Sequence, residues 1–347
     1  MYLTSTYTMT ASLRRTLALL QSDLTRGQKE VTTGRHADLG LAMGRGVSES
    51  FTVVSARASL EATRASNSML SSRLDSTQVA LSALLSDAQG MRATLMGAQT
   101  NGGDPGAIVT QARQALTTFM AKLNSSNAEG FVFGGVNTDQ EPVVNYFSDP
   151  PQTNKIALDA AFVAEFGFSQ SDPAVSTITG PQMKTFLDGA FSSLFSAASW
   201  KNDWSRASDT PIRSQVSLSV AIDTSITANE PALQKLAAAY TMMTDLGAED
   251  QGSAAYSTLL QSAMTTLDSG IHALTKTQAR LGVIQNTVQT ANETMLIQSD
   301  TLDAHLHDLE AVDPIEASAR VNGLMTQIET AYTLTARISQ LSLIKYL

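Results

Sequence analysis

The sequence predicts a mainly α protein with a β-containing insert, built as an elongated rod of long antiparallel coiled-coil helices whose N- and C-terminal helices pair. Three observations predict it. Between Ser253 and Val312, apolar residues recur at Leu260, Met264, Leu267, Ile271, Leu274, Leu281, Ile284, Val288, Ala291, Met295, Leu302, Leu306 and Leu309, mostly three or four apart. That rhythm keeps one face of a helix against other helices. No proline falls between Pro231 and Pro314, and at 1.5 Å per residue such a helix is about 90 Å long, more than a compact domain is wide. Both ends of the chain carry amphipathic spacing as well, and the middle changes character: seven of the eleven phenylalanines lie between Phe147 and Phe195.

Composition narrows the function classes. A chain of 347 residues has room for two or three domains. With 43% hydrophobic and 16% charged residues it folds, alone or on assembly. A net charge of -9 and a pI near 4.9 argue against a nucleic-acid partner, because phosphate binding needs a cationic face. No run approaches the roughly 18 apolar residues of a membrane span, and the N-terminus lacks the charge-then-apolar order of a cleaved signal peptide. The absence of cysteine is compatible with the cytosol and with an extracellular life without disulfides.

Taken in order, the N-terminal segment places Leu13, Leu17, Leu20, Leu24 and Val31 along one face of a helix from about Thr8 to Thr32. Four glycines between Gly34 and Gly46 predict a loop. A second long helix, about Ser48 to Ala98, has seam positions Val53, Ala56, Leu60, Thr63, Asn67, Leu70, Leu74, Thr77, Leu81, Leu84, Ala88, Met91 and Leu95. Asn101 to Gly106 is a turn by residue type. Val109, Ala112, Leu116, Phe119 and Leu123 then form a shorter stripe folding back on the second helix. In the middle, Phe131 to Gly135 reads as a strand, and Gln215 to Ile222 alternates with Val216, Leu218, Val220 and Ile222 on one side. A helix from Pro181 to about Ala198 interrupts these strands, and Glu230 to Leu246 returns to helical spacing. After the longest helix, Asp313-Pro314-Ile315-Glu316 combines a cap, a first-turn proline and the glutamate of a capping box. The last helix carries Val321, Leu324, Ile328, Ala331, Thr335, Ile338 and Leu341.

The layout is nearly a mirror, so three parts are expected: a terminal helical assembly domain (1–46 with 313–347), a long-helix rod domain (47–140 with 229–312) and a globular insert (141–228). A single pair of helices of about 25 residues buries only one seam each, which is marginal for independent stability. The expected assembly interface is therefore Leu13, Leu17, Leu20, Leu24, Val31, Val321, Leu324, Ile328, Ile338 and Leu341, completed by neighbouring subunits.

Nothing in the chain reads as a catalytic, cofactor or metal site. His305 and His307 stand two apart and face different ways on a helix, and His36 and His272 have no partner at ligand spacing. The glycines of 40–46 lack the order of a phosphate loop, and no Gly-x-Ser-x-Gly turn marks a nucleophile. Trp200 and Trp204 read as a surface or insert-core cluster rather than a sugar platform.

Four stretches together resemble the flagellin superfamily and, within it, the hook–filament junction branch known as hook-associated protein 3. Glu30-Val31-Thr32-Thr33-Gly34-Arg35 is similar to the turn after the family's first helix, and Gly130-Phe131-Val132-Phe133-Gly134-Gly135 to the junction branch's glycine-framed strand. Arg280-Leu281-Gly282 with Gln285-Asn286 resembles the family's RLG-x-x-QN pattern, and Asp313-Pro314-Ile315-Glu316-Ala317 the acidic break before its last helix. Where many members carry Asp-Asp-Pro after the first turn, Ala37 to Val47 is glycine-rich here. The resemblance implies a secreted, extracellular, non-enzymatic adaptor of the bacterial flagellum, without cofactors. Its implied partners are the first hook-associated protein, flagellin, copies of itself in a ring, the flagellar export apparatus and an export chaperone, with no nucleic acid or membrane. Filament flagellin is the nearer alternative, and a cytoplasmic coiled-coil signalling or scaffold protein the farther one.

Overall fold

The computed structural model describes residues 6–127 and 130–344. In chain order the elements are α1 (Thr6–Thr33), α2 (Leu39–Met43), α3 (Val47–Asn101), α4 (Pro105–Leu123), β1 (Ser126–Asn127), β2 (Gly130–Phe131), α5 (Thr153–Phe166), α6 (Gly180–Phe186), α7 (Ser192–Leu194), α8 (Ala197–Ser199), β3 (Arg213–Gln215), β4 (Ala221–Asp223), α9 (Pro231–Asp245), α10 (Ser253–Glu310) and α11 (Pro314–Ile344). They pack as two compact units. One takes the N-terminal segment up to Ala62 together with the C-terminal segment from Thr294, and the other is Thr63–Glu293.

In the Thr63–Glu293 unit the helical seams become a closed core. On α10, Leu260, Leu267, Leu274, Leu281 and Val288 are all buried at strict intervals of seven, the repeat that holds a seam on a partner helix over many turns. Leu70, Leu74, Leu81, Leu84, Ala88, Met91 and Leu95 answer on α3. Polar pairs set the direction: Asn67 with Asn292 (2.8 Å), Gln285 with Asp75 (2.8 Å), Gln278 with Ser82 (3.1 Å), and Arg92 with Asp268. As numbers rise on α3 they fall on α10, so the two helices run antiparallel. Of the polar seam residues, Asn67 and Thr77 are buried and Thr63 is half-buried. Asn67 donates to the Val216 carbonyl as well as to Asn292, and Thr77 to the Arg73 carbonyl.

The region expected to be a strand-bearing insert holds more helix than strand and shares its apolar core with the long helices. Among the described residues its strands are two three-residue pieces, β3 and β4, paired antiparallel, and the two-residue β1 and β2 pair with each other just before it. The alternation from Gln215 to Ile222 is not one strand. β3 and β4 pair Arg213 with Asp223 and Gln215 with Ala221, so the apolar residues between them occupy the turn, where Val216 is buried but Leu218 is 57% exposed. Phe131 to Gly135 likewise leaves strand conformation after Phe131. Gly130 has φ +112°, and a Cβ there would stand 2.3 Å from the Thr138 carbonyl oxygen. A Cβ on Gly134 would stand 2.2 Å from that of Asn137. These glycines let the backbone fold onto itself too closely for any side chain, and the turn then takes a bond from Ala228 N to Phe133 O (2.8 Å).

Helix α5 and two π-turns escaped sequence reading. Helix α5 lacks a clean stripe, yet it buries Leu158 and Phe162. The segment expected to be one helix to about Ala198 opens into a π-turn at Leu187–Phe191, and a second π-turn spans Trp200–Trp204. The wider turns place aromatic rings in one continuous stack. Trp200 and Trp204 lie 5.3 Å apart at 7°, and Tyr146 meets Trp204 at 5.2 Å. Both tryptophans are core residues, and the Trp200 indole N–H donates to Ala228 O (3.1 Å), as a buried indole requires.

Candidate assembly interface of the terminal helices

In the unit formed by the chain ends, α1 and α11 pack along each other antiparallel. Gln21 donates to the Tyr332 hydroxyl (2.9 Å) partway along the contact, and Arg320 to Glu30 Oε2 (3.4 Å) near the end of α1. The helices come closest at Gly27, where an added Cβ would lie 2.9 Å from Val321 Cγ2.

Burial along this pair is graded. Gly27, Glu30, Ala317, Val321 and Ile328 are buried, whereas Leu13, Leu17, Leu20, Leu24, Leu324, Ala331, Thr335 and Ile338 are only half-buried. Val31 turns outward at 42% exposure; the seam passes through Gly27 and Glu30 instead. Leu341's side chain lies outside the described residues. On one flank of the half-buried stretch runs an open groove of about 600 Å³, lined by Leu13, Thr16, Leu20, Gly323, Ala331 and Leu334 among others. Leu19 is 62% exposed nearby on α1. An apolar strip on the two helices is thus left open to solvent.

The breaks before α2 and before α11 meet in a joint. Gly34 at φ +69° closes α1 with its N–H on Glu30 O (2.8 Å), and Val312 N donates to Gly34 O (3.0 Å). Arg35 and Ala311 form an isolated antiparallel bridge, and His36 N donates to Glu310 O (2.9 Å). The loop expected from Gly34 to Gly46 contains the short helix α2, capped by Asp38, whose Oδ1 accepts from Leu41 N (3.0 Å). Across the joint, Asp313 Oδ1 accepts from Ile315 N (2.8 Å) and Glu316 N (3.3 Å), the expected cap. The Glu316 carboxylate, however, takes a bond from Arg320 (3.0 Å).

Two acids that sequence reading did not single out sit at this joint. Glu30 in the last turn of α1 and Glu310 at the end of α10 are each 6% exposed. A carboxylate at a helix C-terminus opposes the helix dipole, and burying it is costly unless its oxygens are bonded. Here they are. Glu30 accepts from Ala37 N (3.2 Å) and Arg320, with His36 Nδ1 at 4.0 Å. Glu310 accepts from Ser50 Oγ (2.5 Å) and Arg35 (3.1 Å). The signal available in sequence was an acid one turn before each helix break, a place where the dipole favours a base.

The other titratable groups serve packing. Tyr146 donates to Asp245 (2.5 Å), and burial followed by the Asp245 charge pushes its hydroxyl well above the usual range. Burial alone would lower the Lys155 ammonium, but its bonds to Asp159 and Asp245 hold it above its ordinary value. His305 faces Glu49 at 3.5 Å, and the His272 Nδ1–H donates within its own helix to Asp268 O (2.7 Å). Among the described residues no helix is long and apolar enough to cross a membrane.

Comparison with known proteins matches the two ends of the chain. The bacterial flagellin N-terminal helical region matches residues 4–138, and the bacterial flagellin C-terminal helical region matches residues 264–347. Among solved structures, the chain is similar to a putative flagellar hook-associated protein from Vibrio parahaemolyticus. That likeness has 11% identity and a TM-score of 0.53 over 76% of this chain and 97% of that one. FlgL of Bacillus cereus shares 11% identity over 74% of this chain and 99% of its own, with a TM-score of 0.48. No curated protein matches the chain.

Proposed function

Because the chain belongs to the bacterial flagellin family and is thereby a structural, non-enzymatic protein of the flagellum, we propose that it is the adaptor that joins hook to filament. In this reading it sits between the first hook-associated protein and flagellin, in a ring of its own copies. It reaches that place through the flagellar export apparatus, with an export chaperone, and acts outside the cell. The observation that carries the assembly role is the graded seam of α1 and α11: none of Leu13, Leu17 and Leu20 on α1, or Ala331, Thr335 and Ile338 on α11, is fully buried. The terminal helices order when neighbouring subunits cover that strip, so that apolar burial offsets the entropy of ordering. The choice of junction over filament rests on the glycine-framed turn at Gly130 to Gly135. In the proposed division, 1–46 with 313–347 makes the assembly contacts, 47–140 with 229–312 the long-helix scaffold, and 141–228 the outer insert.

Burying a seam leucine contributes about 1.5–3 kcal/mol, and a carboxylate there has no partner. Leu20→Asp and Ile338→Asp are therefore expected to abolish incorporation into flagella while circular dichroism and melting of the Thr63–Glu293 unit stay unchanged. Normal incorporation of Leu20→Asp would defeat the terminal-seam reading. Cells lacking the protein are expected to carry hooks without filaments and to export flagellin into the medium. A purified chain that grew long filaments alone would instead be a filament flagellin.

A further inference from the structure

We propose that the terminal helix pair closes in two stages: the Glu30 and Glu310 carboxylates latch its joint-proximal half within one chain, and its distal half closes only against another copy. The second stage rests on the assembly reading above. The latch rests on intrachain geometry alone.

The four groups that satisfy the two acids come from different places in the sequence. Glu30 on α1 is held by Ala37 N in the loop after it and by Arg320 on α11. Glu310 on α10 is held by Arg35 in that same loop and by Ser50 on α3. Both carboxylates are satisfied only when the end of α1, the start of α3, the end of α10 and the start of α11 are all in place. A chain with either arm displaced leaves a buried acid without its bonds, the most unfavourable way to break a buried pair. The latch is thus selective as well as stabilising. It discriminates the correct meeting of the arms from any other docking of two apolar-faced helices, which hydrophobic spacing alone cannot do.

Burial locates the limit of the latch. Next to the joint, Gly27, Glu30, Ala317 and Val321 are buried, and on α11 burial reaches Ile328; toward the free ends, Leu13, Leu17, Leu20, Ala331, Thr335 and Ile338 are half-buried, with Leu13, Leu20 and Ala331 lining the groove. Glu30 and Glu310 are positioning residues: they set where the pair starts and leave the distal strip to a neighbour.

Hydrogen exchange on the dilute full-length chain tests both stages, since local opening is read residue by residue. In the wild type, amides of 28–37 and 311–321 are expected to exchange at least about tenfold more slowly than those of 13–20 and 331–338. Glu310→Ala and Glu30→Ala are expected to remove that difference, with the Thr63–Glu293 unit keeping its protection. Glu310→Gln, which keeps an acceptor for Ser50, should restore part of it. Equal exchange in both halves of the wild-type pair because the proximal half is fast, unchanged proximal protection in Glu310→Ala, or a Gln variant no better than Ala each overturns the latch. A distal half as protected as the proximal one in dilute wild type overturns the second stage, and the assembly reading with it, while the variants still decide the latch.

Discussion

The terminal pair and the Thr63–Glu293 unit are built from the same material, long helices with apolar residues three and four apart, yet they bury it differently. Leu260, Leu267, Leu274, Leu281 and Val288 are closed off completely on α10, while Leu13, Leu17, Leu20 and Leu24 on α1 remain half-exposed. The difference lies in the number of faces that meet. In the larger unit α3 and α10 are joined by α4, α9 and the aromatic stack around Phe186, Phe191 and Trp200, all in one core, so each seam residue is covered from several sides. In the terminal pair one helix faces one helix, and two cylinders touching along a line cannot cover a stripe of about 100°. Heptad spacing states that a face is apolar; it does not state how many partners it has.

The sharpest way to break this contrast is to truncate one leucine from each region. Leu281→Ala is expected to lower the stability of the dilute chain by about 2–5 kcal/mol, the range for a fully enclosed leucine. Leu20→Ala, already half in water, should cost less than about 1 kcal/mol in the same denaturant titration and show its effect only on assembly. Equal losses in solution would mean that the two seams are equally closed.

A smaller effect tests where the terminal pair is tightest. Gly27→Ala drives a methyl against the stiff, β-branched Val321 and is expected to cost about 1–3 kcal/mol in local stability of α1 and α11, the usual range for overpacking. Val321→Ala should relieve most of that loss in a double-mutant cycle read by hydrogen exchange. Absence of coupling would show that the helices do not meet there.

The smallest effect concerns pH and the enclosed unit alone. Burial raises the Tyr240 hydroxyl above its ordinary value, and burial with Asp245 raises that of Tyr146. A group raised in the folded state binds its proton more tightly there than in the unfolded chain. Its contribution is complete below the unfolded value of about 10 and is lost as pH climbs above it. Stability of the Thr63–Glu293 unit should therefore be level through neutral pH and fall above about pH 10. Tyr240→Phe should make that fall shallower in urea titrations run at stepped pH.

Most of the helical frame was legible in the residues themselves. Helical spacing depends on local sequence, and the starts of α4, α9 and α11 are announced by Asp104-Pro105, Glu230-Pro231 and Asp313-Pro314, where proline at the first helical position has no N–H to waste. The antiparallel pairing of α3 with α10 followed from the mirrored layout. Less legible was the middle. Val216 to Ile222 alternates as a strand does, but the Asn67 side chain bonds the Val216 carbonyl and that residue turns inward while Leu218 turns out. The glycines of 130–135 were visible as a motif, though their purpose, backbone approach within 2.2–2.3 Å of a would-be Cβ, emerges only when residues 137 and 138 are seen against them. The interface residues were read from one stripe, and Val31 left it because Glu30, one position earlier, turned inward to meet Arg320.

What the sequence determined alone was which residues form helices and which faces of them are apolar, since both follow from spacing and from capping groups a few residues apart. The tertiary structure decided which apolar faces are finished and which are not, and it turned two acids some 280 residues apart into neighbours across one joint. Burial and bonding of a charge depend on groups brought together from opposite ends of the chain, and no local pattern encodes how many of them arrive.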